Sequence, residues 1–197
     1  LLDAGTCPGV EGRAGLPLYS QVAEQDVDAI AISHCHQDHC GSLPVALRHF
    51  PQARVLMTEP SYFLIERVLH NSVNVMKRQR TERNIPDYPL FHHNEVDEFS
   101  YLFQGFKYGT AEPWIPVRPG AADKPTPTVC FHPAGHVLGS AGLRVAHGRK
   151  SLFYNGDVCF HDQTLSPKAD FSSTQSDVLI LETTRGATET PAGFTRE

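Results

Sequence analysis

A chain of 197 residues, 40% of them hydrophobic, is long enough for one domain with a substantial core, and its length requires no second domain. The formal net charge of −5 excludes a protein that coats nucleic acid through a basic surface, although bound cations could still attract phosphate locally. Cys7, Cys35, Cys40, Cys130 and Cys159 are odd in number and show no C-x-x-C pairing, and the chain has neither an apolar signal segment nor an apolar run of roughly 18 residues. A cytoplasmic protein without a membrane partner is therefore expected. The sequence opens on "LLDAG" without an initiator Met and stops within "GFTRE", so both ends are expected to belong to something longer.

In chain order, "GTCPGVEGRAGLP" (5–17) reads as loop, and "DAIAIS" (28–33) as a buried strand that runs straight into "SHCHQDHCGSLP". A helix over 42–50 follows, opened by Ser42, then a strand over 53–58 and a long helix over 59–80. Phe63, Leu64, Val68, Leu69, Val73 and Met76 give the long helix its apolar stripe, and basic residues fill its last turn, where the helix dipole favours them. A third helix is expected over 94–104 and a Pro/Gly-dense loop over 117–128. Strands are expected over 127–132, 141–147, 150–155 and 177–183. Alternating strands and helices imply a mixed α/β domain, with no repeat and no linker.

The chemistry lies at the strand ends. In H-x-H-x-D-H, His34 and His36 are two apart, so an extended backbone sends both rings to the same side, where they can meet one ion. Asp38 and His39 are adjacent, and a chain turning into a helix there aims both at a second ion. Further ligands are required, and zinc accepts His nitrogen with carboxylate oxygen when a water position must stay open. His136 in "PAGHVLGSAG" and Asp157 in "LFYNGDVCF" are the candidates, each just beyond or between expected strands. Taken singly, each has a plainer reading: His136 as a turn residue and Asp157 as part of a hairpin or helix-start signal.

His34, His36, Asp38, His39, His136 and Asp157, in that order and at roughly those separations, resemble the metallo-β-lactamase fold, an αββα sandwich. Asp3 looks like that fold's early aspartate, which supports the metal loop. "AGHVLGSAG", "YNGD" and "LILETTRG" are similar to motifs of the β-CASP branch, the RNA-processing nucleases, with Glu182 at its acidic first motif and "FTRE" like the stretch that follows. Arg185, where many members carry Tyr, and Cys35, where Thr or Ala is more usual, depart from the pattern.

The resemblance implies that residues 1–197 are the N-terminal part of the catalytic domain, ending before the β-CASP insert and before a later histidine that completes the second metal site. It implies two zinc ions: His34, His36 and His136 on the first, Asp38 and His39 on the second, and Asp157 between them. Asp38, Asp157 and Glu182 would be the catalytic acids, Glu182 by fixing the later histidine. The implied reaction is hydrolysis of phosphodiester bonds in single-stranded RNA by a hydroxide that the two ions activate, possible within a processing complex. Alternatives are an ester or thioester hydrolase of the same fold, a DNA nuclease and a non-catalytic scaffold subunit. Lys77, Arg78, Arg80 and Arg83 read as a solvated helix face rather than an RNA contact. The remaining histidines, His70 and His93 among them, read as packing or surface residues, and Cys7, Cys130 and Cys159 as small buried groups.

Overall fold

Alternation within "DAIAIS" decides the layering. In the computed structural model, which describes residues 1–22, 27–115, 126–184 and 186–187, β1 (Ala29–Ala31) is buried along its whole length. Ala29 and Ala31 face one core and Ile30 and Ile32 another, as a period of two requires. Over 29–32 the residues beneath the covering helices are long, and the two facing the second sheet are alanines.

Strand β2 (Arg54–Thr58) runs parallel to β1, and β3 (Phe103–Phe106) parallel to β2, giving a three-stranded sheet in the order β1-β2-β3. Its outer face carries α2 (Leu43–His49), α3 (Glu59–Glu82) and α4 (His93–Ser100), and the short α1 (Gln37–Cys40) follows β1. Thr58 caps α3 by accepting a hydrogen bond from the Ser61 backbone N–H, and Pro60 occupies a first-turn position where no N–H is needed. The buried side of α3 is Ser61, Ile65, Leu69, Val73 and Met76. That stripe corrects the expected one in part: Phe63 is 68% exposed, because the two-residue step of about 200° from buried Ile65 carries it off the sheet.

The second sheet holds β4 (Ala111–Pro113), β5 (Thr128–Pro133), β6 (Ala141–His147), β7 (Lys150–Tyr154) and β8 (Val178–Ile180), in that spatial order. Its pairs are antiparallel except β7 with β8, which is parallel. Val129, Phe131, Ala141 and Leu143 meet Ala29, Ala31 and Leu56 between the sheets. On the far face Phe153 packs against Phe171, ring centroids 4.8 Å apart, and a side chain at Gly142 would collide with both rings. Helices, sheet and sheet make three layers of the expected αββα sandwich among the described residues.

Three further expectations need correction. The third helix stops at Ser100, and Phe103–Phe106 is a strand. Val96, Phe99 and Phe103 keep a helical period across the boundary, but β3 gains hydrogen bonds from β2, and Gly105 lets the backbone pass 3.1 Å, measured from where its Cβ would stand, from Glu59 Cα. Ser42 stands at the start of α2 without capping it; its hydroxyl donates to the Gly5 carbonyl at 2.7 Å and pairs with the Tyr19 hydroxyl. Cys7 is exposed rather than buried, Cys130 is half-buried, and Cys159 is buried. Most of the 117–128 loop, Arg185 and "FTRE" lie outside the described residues.

Candidate metal centre

The centre forms where the loop after β1 meets two loops of the second sheet. Ile32 N–H donates to the Leu56 carbonyl, so the chain leaves the first sheet at Ser33, whose carbonyl then accepts from Ala141 N–H at 2.9 Å. That bond ties the histidine loop to β6. His36 is extended, with φ −73° and ψ 153°, immediately before α1, so His34 and His36 project together as their spacing predicts.

His136 arrives on a loop shaped by Ser140, whose hydroxyl accepts the backbone N–H groups of His136 and Val137 at 3.0 and 3.1 Å. The Gly139 carbonyl is held by Thr58 Oγ1 at 2.6 Å and Ser61 Oγ at 3.0 Å, which fastens the loop to the start of α3. Gly135 has φ 68°, and a Cβ there would stand 2.5 Å from both Ala169 N and Cys159 O. Gln163 closes the loop from outside, donating to the carbonyls of Gly135 and His136. Asp157 follows Gly156, another left-handed position.

These loops bring His34, His36, His136 and Asp157 together, with one ligand atom from each inside 4.8 Å of all the others. His36 Nδ1 lies 3.1 Å from His34 Nε2 and 3.1 Å from His136 Nε2. Three ring nitrogens converging on one point cannot all be satisfied by protons, and a cation is the partner that accepts every lone pair. Asp157 turns Oδ2 toward His136 Nε2 at 3.4 Å and His34 Nε2 at 4.0 Å, and Oδ1 toward His39 Nε2 at 3.3 Å. Asp38 Oδ2 is 3.7 Å from His39 Nε2. The donor set thus divides into a three-histidine group and an Asp38–His39 group that share one carboxylate, and its nitrogen and oxygen donors fit divalent cations.

Asp3 lies behind the centre in a left-handed conformation, φ 59°. Its Oδ1 accepts from Ser33 N at 2.6 Å, while Oδ2 accepts from Ser33 Oγ at 2.8 Å, Tyr154 OH at 2.7 Å and His39 Nδ1 at 2.7 Å. With His39 Nδ1–H held by Asp3, Nε2 is free for the cation side, the outer-shell arrangement that orients histidine ligands. Gly5 makes the close approach possible: a Cβ there would lie 1.7 Å from the Asp38 carbonyl oxygen. Ser33 and Tyr154 are positioning residues that the sequence did not single out; Tyr154 sits in the noted "YNGD", but nothing local says that it reaches Asp3.

Electrostatics separate the two groups. Burial, reinforced by His39, His36 and His136, pushes His34 down to about 2, so it is neutral and ready to donate. Burial also lowers His136, partly offset by Asp157. Burial opposes protonation of His39, but Asp3, Asp157 and Asp38 outweigh it and raise its pKa above the usual 6.5. Glu182 stands apart from the ligand group: its backbone N–H donates to Asn155 Oδ1 at 2.9 Å and its carboxylate accepts from Thr184 N–H at 3.0 Å, yet its charge is felt at His136. Among the basic residues at the end of α3, Arg78 pairs with Glu82 and Arg80 donates to the Tyr88 carbonyl, while Arg83, just after the helix, pairs with Glu11, in keeping with a solvated face.

Curated relatives cover the same stretch. The chain is 30% identical over 188 residues to endoribonuclease YSH1 of Gibberella zeae, covering 94% of this chain and 21% of the relative. It is 30% identical over 196 residues to endoribonuclease YSH1 of Saccharomyces cerevisiae, covering 97% and 24%. Against the transcription termination factor FttA of Methanocaldococcus jannaschii it is 28% identical over 193 residues, covering 95% and 28%. The chain therefore spans about a quarter of the length of these relatives. The family model for the metallo-beta-lactamase superfamily matches residues 1–185, which include every residue of the centre, and the chain belongs to that superfamily.

Proposed function

We propose that this chain is the N-terminal, metal-binding part of a β-CASP ribonuclease that hydrolyses phosphodiester bonds in single-stranded RNA with two zinc ions. The observation that carries the reading is the division of six ligands into two groups joined by Asp157. The similarity to proteins named endoribonuclease supports RNA as the substrate. A β-CASP domain and a completing histidine would lie elsewhere in the longer protein, and a processing complex is the setting in which it would act. Five free thiols suit a reducing, cytoplasmic compartment, and among the described residues no helix is long and apolar enough to cross a membrane.

His34, His36 and His136 would hold one cation and Asp38 and His39 the other, with one oxygen of Asp157 toward each. Divalent cations held there would supply an activated water and would offset charge building on the phosphoryl oxygens. Asp38, 42% exposed at its side chain, would accept a hydrogen bond from the attacking water and orient it. Asp3 keeps the proton of His39 on Nδ1. Glu182, near His136 and already fixed by Asn155, would position the histidine contributed from outside this chain. The cations also supply the positive field for phosphate that a chain of net charge −5 lacks.

The test is cleavage of end-labelled single-stranded RNA and matched single-stranded DNA by the full natural protein beside its Asp157→Asn variant. Metal-dependent RNA cleavage, lost in the variant, is expected. Cleavage of DNA alone would reassign the substrate. Silence on both with two metals bound would favour a small-molecule hydrolase, and silence without metal a scaffold subunit.

A further inference from the structure

Among the described residues, a second group of side chains that could hold a metal ion lies outside the centre, on helices that contribute no ligand to it. Glu66 and His70 are four apart on α3, and His93 and Asp97 are four apart on α4, so each helix presents two side chains along one seam. Glu66, His70 and Asp97 each bring a ligand atom to within 4.8 Å of the other two. We propose that His70 Nε2, Asp97 and Glu66 bind a further divalent transition-metal cation that clamps α4 onto α3.

The ring of His70 is oriented for that role. Its Nε2 faces Asp97 Oδ1 at 3.2 Å, while Nδ1 lies 2.9 Å from Nδ1 of His93. Two Nδ1 atoms facing each other share one proton between them. With a cation on Nε2, that proton belongs to His70 and is donated to His93, which is how a ligating imidazole is normally held from behind. His93 then acts as an acceptor through Nδ1. Its own proton is then on Nε2, which donates to Asn74 Oδ1 at 3.1 Å. The rings of His70 and His93 are stacked at 21° with centroids 5.2 Å apart. Two carboxylates converge on the His70 imidazole, and a divalent cation neutralises both negative charges. One nitrogen with two carboxylates is a borderline donor set, suited to zinc or manganese. The same cation would secure the side of α4 opposite Arg48, whose guanidinium already pairs with Glu95 at 2.5 Å from α2.

The test is the zinc content of the full natural protein, equilibrated with buffered free Zn²⁺ and measured by atomic emission, beside Asp97→Asn and His70→Ala. Asp97 is exposed on α4, so its near-isosteric variant is expected to fold, and circular dichroism checks both. The expected result is one equivalent of zinc fewer in each variant than in the parent, with RNA cleavage unaffected by Asp97→Asn. Parental zinc content in both folded variants would overturn the proposal. Measuring Asp157→Asn in parallel separates the two sites: zinc lost there but retained at His70 and Asp97 would leave this inference standing whatever the fate of the catalytic reading.

Discussion

The two sheets supply the centre in different ways. The first delivers His34, His36, Asp38 and His39 from one loop of six residues at the end of a fully buried strand. The second delivers His136 and Asp157 singly, from separate loops, and the His136 loop is held by Ser140 within it and by longer-range hydrogen bonds from Gln163 and the start of α3. Dense ligands on one loop set the local geometry, while sparse ligands on the opposite sheet decide whether the local geometry closes into a site. Packing between the sheets is therefore part of the metal chemistry.

Phe131→Ala attacks that packing most directly. Phe131 is fully buried between the sheets and stacks on Phe106, so its truncation should remove about 3–5 kcal/mol of stability, read by urea denaturation. Metal content should fall with it, although no ligand has changed. Asp3→Asn tests the link behind the ligands: losing the acceptor for His39 should weaken metal binding by about 10–100-fold, roughly 1.4–2.7 kcal/mol, with the fold retained. Unchanged affinity would mean that His39 is oriented by the cation alone.

Proton competition sharpens the contrast further. His39 has a raised pKa, so as pH falls through that value, above 6.5, the proton displaces a cation from Nε2. His34 and His136 have lowered values and resist protonation over the same range. Metal content followed from about pH 8 to pH 5 should fall first by the cation at Asp38 and His39. Simultaneous loss of both would show that the groups are coupled too tightly to titrate apart. The smallest effect is expected at Arg78→Ala, which breaks an exposed pair with Glu82 on α3, so stability read by urea denaturation should change by no more than about 0.5 kcal/mol.

Legibility in the sequence followed the same division. The histidine loop could be read because its spacing is itself the geometry: residues two apart share a face of an extended chain, and a turn into α1 redirects the next pair. His136 and Asp157 have no such local signature, and only their order in the chain drew attention to them. Strands β5 to β7 were recognisable from alternation, but β3 continues the helical period of α4 and is decided by pairing with β2. Strand β4, "AEP", has almost no strand preference of its own and exists through β5. Ser33 and Tyr154 stayed hidden because their partner, Asp3, is distant in sequence.

The hydrogen bond from Tyr154 to Asp3 joins residues 151 apart in the chain. Few contacts in the molecule are less local, and the entropy of closing so long a loop must be offset before the bond can form. Asp3 cannot orient His39 with its full set of partners until β7 has been placed beside the first sheet. A chain released before residue 154 would carry the whole histidine loop yet lack both this support and the carboxylate of Asp157, so capture of metal at full affinity has to wait for β7 and the loop that follows it.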